Sequence, residues 1–200
     1  MSGPSPPADL ASRRPQLFRL DRGTILHRFY TRTGGARTFD PIYYDSSLSG
    51  RFNAPDGSYG VLYAAKESYG AFAETFLRTS GRRMIDAGLM ARKGYASLEV
   101  RRGLTLIEFD GRWLAPLGAT AAVPHSDPPY DNAQAWSKAL RSHPARPDGI
   151  AYTSRHDPSE LCFAIFENSD PPVAVLSRET NLDASWFWDL ANHYQVGMSP

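Results

Sequence analysis

The sequence predicts an α+β fold in a single domain: a mixed, largely antiparallel sheet with flanking helices. Two observations predict it. Strand-like and helix-like segments follow one another without strict alternation and without an internal repeat, unlike a doubly wound parallel sheet. The 200 residues, 42% hydrophobic and 12% aromatic, suffice to bury one core unaided.

Residues 1–16 are rich in proline, serine and arginine with little apolar content, the composition of a flexible arm, so the folded domain is expected over 17–200. ILHRFY at 25–30 has the β-branched and aromatic content of a strand and is followed by the turn-rich TRTGGARTFD. VLYAA at 61–65 is a second strand, entered from a glycine-containing turn over 55–60. Glu67 and Ser68 then open a helix in which Tyr69, Ala73, Phe76 and Leu77 recur at helical spacing. SLEV and LTLIEF, bounded by Gly94, Gly103 and Gly111, suit two further strands. NAQAWSKALRSH reads as a helix capped by Asp131 or Asn132 and stopped by Pro144. GIAYTS, LCFAIF and VAVL are strands broken by DPSE and NSDPP, and DASWFWDLANHY is a last helix. Its Trp186–Trp188 run either lies on the core or forms a contact patch.

Charge narrows the partners. Twenty-two basic and 21 acidic side chains leave a formal +1, which calls for neither nucleic acid nor an acidic membrane. Residues 1–103 carry 16 Lys or Arg against nine Asp or Glu, and residues 104–200 carry six against 12. That split either favours an anionic ligand in the first half or pairs across the fold. No stretch is apolar enough to cross a bilayer and the start is polar, so a cytoplasmic protein is expected. Cys162, the only cysteine, sits in the apolar LCFAIF and reads as a small core residue. Neither GxGxxG nor GxxxxGK[ST] occurs, and the histidines at 27, 125, 143, 156 and 193 lack metal-ligand spacing, so no metal is expected.

An ordered set of elements remains: RFY at 28–30, GRFN at 50–53, VLYAA at 61–65, AFAE at 71–74 and DGIAYTSR at 148–155. In order and spacing this set resembles the RES family, over roughly residues 17–180. The resemblance implies a fold related to ADP-ribosyltransferase toxins, degradation of NAD as substrate with no resident cofactor, and inhibition by an antitoxin with an Xre-like domain. It carries over Glu74, Arg28 and Tyr63 as catalytic residues, and Arg51, Ser154 and Tyr30 as substrate-binding ones.

Elementary chemistry suits these residue types. Cleaving the nicotinamide–ribose bond passes through an oxocarbenium-like state, and a carboxylate such as Glu74 can stabilise the developing charge or hold a ribose hydroxyl. On its helix, Gly70 and Ala71 precede Glu74 by four and three residues and leave room for a ligand; the competing reading is a surface pair with Arg78 at i+4. The planar forks of Arg28 and Arg51 match a pyrophosphate, whereas Arg32, Arg37 and Arg78 read as ordinary surface arginines. A cleft-facing Tyr63 can stack on nicotinamide and aim its hydroxyl at the ribose. Ser154 can hydrogen-bond an amide or a ribose hydroxyl, and no histidine is placed by sequence to make it a nucleophile. The acceptor of ADP-ribose stays open between water, inorganic phosphate and a protein side chain. A binding module without chemistry is the main competing class, and the loop over 119–131 covers the cleft, meets a partner or is plain surface.

Overall fold

The computed structural model describes residues 3–34, 37–78 and 84–198. The chain opens with β1 (Leu17–Leu20), β2 (Ile25–Thr31) and a small excursion made of β3 (Thr33–Gly34) and β4 (Arg37–Thr38). β5 (Val61–Ala65) leads into α1 (Ser68–Phe76), followed by β6 (Met84–Ile85), α2 (Ala87–Arg92), β7 (Lys93–Val100) and β8 (Leu104–Glu108). Then come α3 (Leu114–Leu117), α4 (Asp131–Arg141), β9 (Gly149–Thr153), β10 (Leu161–Phe166), β11 (Val173–Glu179), α5 (Ser185–His193) and β12 (Gly197–Met198).

Eight strands form one sheet in the order β1-β8-β9-β10-β5-β2-β7-β11. Every neighbouring pair is antiparallel except β8 with β9, which is the mixed, largely antiparallel sheet expected. β7 shows the alternation that a half-buried strand requires, with Gly94, Ala96, Leu98 and Val100 inward. β10 is buried almost end to end, so both faces of the sheet centre must be covered. On one face the cover is helical: Phe72 of α1, Trp136 of α4 and Phe187 of α5 pack with Phe52, Phe109 and Tyr152. On the other, the buried residues all come from strands, among them Leu26, Leu62, Leu98, Leu106 and Phe163. The curled sheet therefore fills that face mainly with its own side chains, helped by Ile42 and Tyr44 from the segment before β5.

One seam in the sheet is weak. β2 keeps seven residues in register with β7, and β5 keeps five with β10, but β2 and β5 meet only at His27 and Ala65. Beyond that pair the two strands diverge and open a cleft flanked by α1.

Several local expectations change in the folded chain. Residues 3–16, expected to be a flexible arm, are laid against α4: Trp136 Nε1 donates to Pro4 O at 2.7 Å, Asn132 Nδ2 donates to Gly3 O at 2.8 Å, and Leu10 is buried. A proline-rich segment with no core of its own is held by backbone carbonyls that accept from a neighbouring helix. The N-cap of α4 is Tyr130 rather than Asp131 or Asn132; Asp131 lies inside the first turn, where its charge suits the helix dipole, and Asn132 turns its amide to the N-terminal segment. The helix stops at Arg141, ahead of Pro144. The Trp186–Trp188 run lies on the core, with Phe187 fully buried and Trp186 packed on Tyr95 at 4.8 Å between ring centroids.

Candidate active site

The cleft at the β2–β5 seam encloses about 470 Å³. Arg28, Tyr30, Arg51, Tyr63 and Glu74 all line it, so folding brings five of the six expected site residues together from three elements and a loop. The sixth, Ser154, lies behind Glu74 and is fully buried.

Glu74 projects from the end of the second turn of α1, whose preceding residues Gly70–Ala73 are buried. Its side chain is 20% exposed and held at both oxygens. Ser154 Oγ donates to Oε1 at 2.7 Å, and Arg51 Nη2 lies 3.9 Å from Oε2. Those two contacts replace the surface pairing with Arg78. Ser154 is in turn set by the turn after β9: its N–H donates to Glu160 O and its Oγ accepts from the N–H of His156. Its one hydroxyl hydrogen goes to the carboxylate, so the structure places Ser154 as the support of Glu74 and not on the cavity wall.

Arg51 is only 7% exposed and packs among the rings of Phe52, Tyr130 and Tyr152, each centroid about 6 Å from its guanidinium. Burial works against its charge, but Glu74 and the neighbouring tyrosine oxygens outweigh that cost and raise its pKa. The guanidinium thus holds the Glu74 carboxylate from within the wall.

The loop carrying Arg51 is built around Asn53, which is completely buried. Asn53 Nδ2 donates to Asp45 Oδ2 at 3.0 Å and to Ser47 O at 2.7 Å, while its Oδ1 accepts from the Tyr63 hydroxyl at 2.8 Å. Gly50 makes room for that carboxamide, since a Cβ there would collide with the Asn53 side chain. Tyr63 completes the lock by accepting from Phe52 N at 2.8 Å. Burial pushes its phenol pKa up, so the hydroxyl stays protonated. With its hydrogen committed to Asn53, Tyr63 has no donor to aim at a ribose; its ring borders the cavity and its hydroxyl clamps the loop.

Arg28 spans the seam. Its Nη1 donates to Tyr63 O on β5 at 2.9 Å and its Nη2 to Tyr43 O at 3.1 Å, satisfying carbonyls where β2 and β5 have parted. Burial lowers its pKa to about 10 despite Asp45 nearby. Tyr30, two residues on, is 4% exposed and belongs to the strand-only core, with part of its ring at the cavity.

Other residues of the cavity went unnoticed in the sequence. Arg78, read as a surface arginine, lines it, as does Lys93 at the start of β7. Behind the wall, Asn53 stands inside the GRFN element, where a buried amide leaves no periodic signal. Lys93 had no signal at all, being one basic residue at the start of an alternating strand. Cys162 is buried as expected and touches the cavity wall; burial, then the nearby Glu74, pushes its thiol pKa well up. The loop over 119–131 is tacked down by Arg155, which donates to Ser126 O and pairs with Asp127 at 2.6 Å, and it reaches the site through Tyr130 behind Arg51. Among the described residues, no three His, Cys, Asp or Glu side chains gather in a way that could hold a metal ion, and no helix is long and apolar enough to cross a membrane.

Comparisons with known proteins agree with this architecture. The RES domain matches residues 17–189. A chain from the crystal structure of the M. tuberculosis MbcT–MbcA toxin–antitoxin complex superposes with a TM-score of 0.65 over 93% of this chain and 98% of its own length, at 12% identity. No curated protein matches the sequence.

Proposed function

The chain belongs to the RES-domain family, and from that premise we propose that it cleaves NAD at the nicotinamide–ribose bond as the toxin of a toxin–antitoxin pair. The single observation that carries the reading is the Glu74 carboxylate, partly exposed to the cavity while gripped by Ser154 and Arg51. A cavity of about 470 Å³ suits a small-molecule substrate. In the reaction the C1′–N bond breaks, its electron pair leaves with neutral nicotinamide, and positive charge spreads over the ribose C1′ and ring oxygen. Glu74 stabilises that charge at lowest cost because its position is set before substrate arrives. The acceptor oxygen, from water, inorganic phosphate or a protein side chain, then bonds to C1′, and where it is water or a hydroxyl it gives up its proton.

The likeness in fold to a chain of the MbcT–MbcA toxin–antitoxin complex supports a cognate inhibitor. On this reading the inhibitor carries an Xre-like domain, the enzyme acts on the cytoplasmic NAD pool, and unrestrained expression arrests growth. The testing experiment incubates purified protein with NAD, with and without phosphate, and follows nicotinamide and ADP-ribose products by chromatography beside Glu74→Gln. Nicotinamide from the wild type alone supports the enzyme, and phosphate dependence names the acceptor. A folded, inhibitor-free wild type that binds NAD and releases nothing is either a transferase waiting for a specific protein target or a binding module.

A further inference from the structure

Three cations line the cavity where β2, the start of β7 and the exit from α1 meet it. Lys93 opens β7, Arg28 lies on β2 and Arg78 follows the end of α1, and all three line the cavity. Lys93 is half-buried, and its Nζ donates to Thr31 Oγ1 at 2.9 Å, a neutral partner. Among the described residues that is its one hydrogen bond, so two of its three N–H groups remain for a ligand. The charges that act on it most strongly are of its own sign. Burial, then Arg78, Arg28 and Arg92, lower its pKa to about 8. An ammonium partly withdrawn from water and set beside guanidiniums costs the empty protein free energy, which an anion in the cavity would recover. Arg51 cannot meet that need, since it is buried against Glu74.

We propose that Lys93 and Arg78 form the subsite for the pyrophosphate of the dinucleotide, with Arg28 holding the seam beside them. This deepens the NAD reading and rests on it for the identity of the ligand. Two donors on Lys93 and the fork of Arg78 meet phosphate oxygens, while Glu74 keeps its place for the ribose carbon.

The test is calorimetric titration of the purified chain and its Lys93→Met, Lys93→Arg and Arg78→Met variants. The probes are inorganic pyrophosphate, ADP-ribose and, as a ligand without phosphate, nicotinamide riboside. Each Met variant is expected to weaken pyrophosphate and ADP-ribose by about tenfold or more, the effect of losing a hydrogen bond to a charged group. Lys93→Arg should recover most of the loss, and nicotinamide riboside should bind all four proteins alike. Lys93→Met should melt no lower than the wild type; should it fail to fold, the exposed Arg78 decides the matter. Unchanged pyrophosphate affinity in the folded variants, or none in the wild type, overturns the subsite. Lys93-dependent pyrophosphate binding without nicotinamide release from NAD would retain the subsite and sink the NAD reading. NAD cleavage with an unaltered KM in Lys93→Met would do the reverse.

Discussion

On the side of the cleft formed by β5, α1 and the 50–53 loop, the central polar side chains pair with one another or with their supports: Glu74 with Ser154 and Arg51, Tyr63 with Asn53, Asn53 with Asp45. At the rim where β7 begins and the chain leaves α1, Lys93 and Arg78 share a sign, and the one hydrogen-bond partner of the Lys93 ammonium among the described residues is a threonine. The first side is largely paired within the protein, with its carboxylate set between the Ser154 hydroxyl and the Arg51 guanidinium. The second is left incomplete, at a cost that a ligand can repay. Such a division suits an enzyme whose chemistry needs a rigid group and whose binding needs an unsatisfied one. It also separates the consequences of mutation: the paired side should lose stability or turnover, and the cationic side should lose affinity.

The largest effect is expected at Glu74. Glu74→Gln keeps the hydrogen bond from Ser154 and the shape of the wall but removes the charge, so nicotinamide release should fall by about a hundred- to a thousandfold with the melting temperature little changed. Retained turnover would mean that the paired side is scaffold and not machinery. Asn53→Ala strips a fully buried node and strands the Tyr63 hydroxyl, Asp45 and Ser47 O. Denaturant unfolding should show a loss of about 2–3 kcal/mol. Turnover should drop with it, because the Arg51 loop loses its anchor.

Ser154→Ala is a gentler cut. Freed from one hydrogen bond, Glu74 should sample other rotamers, and kcat should fall by about tenfold while KM holds. An increase in KM alone would instead put the Ser154 hydroxyl on the substrate. Tyr63→Phe should be the mildest, costing about 1 kcal/mol of stability by leaving Phe52 N–H and Asn53 Oδ1 without their partner, with modest kinetic change. A severe loss of kcat at unaltered stability would return the hydroxyl to the ribose, and the boundary between the two sides would have to be redrawn.

Much of this was legible in the chain. β2, β5 and β10 follow from β-branched, aromatic or continuous apolar runs bounded by turn residues, and α1 and α5 from helical spacing, because burial leaves a local record in the sequence. Arg28, Arg51, Tyr63 and Glu74 were found through short elements whose order resembled a family, and the fold does gather them at one cavity. Their partners were not legible. That Tyr63 spends its hydrogen on Asn53, that Ser154 stands behind Glu74, and that Pro4 accepts from Trp136 132 residues away depend on which strands lie side by side and in which register. A hydrogen bond is specific to a few tenths of an ångström and carries no period along the chain.

The sequence by itself determined the class of fold, the placing of its longer strands and helices, and the residue types able to act on a glycosidic bond. Only the tertiary structure decided that β2 and β5 part after His27 and Ala65, which opens the cavity, and that Lys93 and Arg78 arrive at it together. The reason is physical: hydrophobic patterning is a local record of which side of an element is buried, whereas the meeting of charges distant in sequence is set by strand order and divergence.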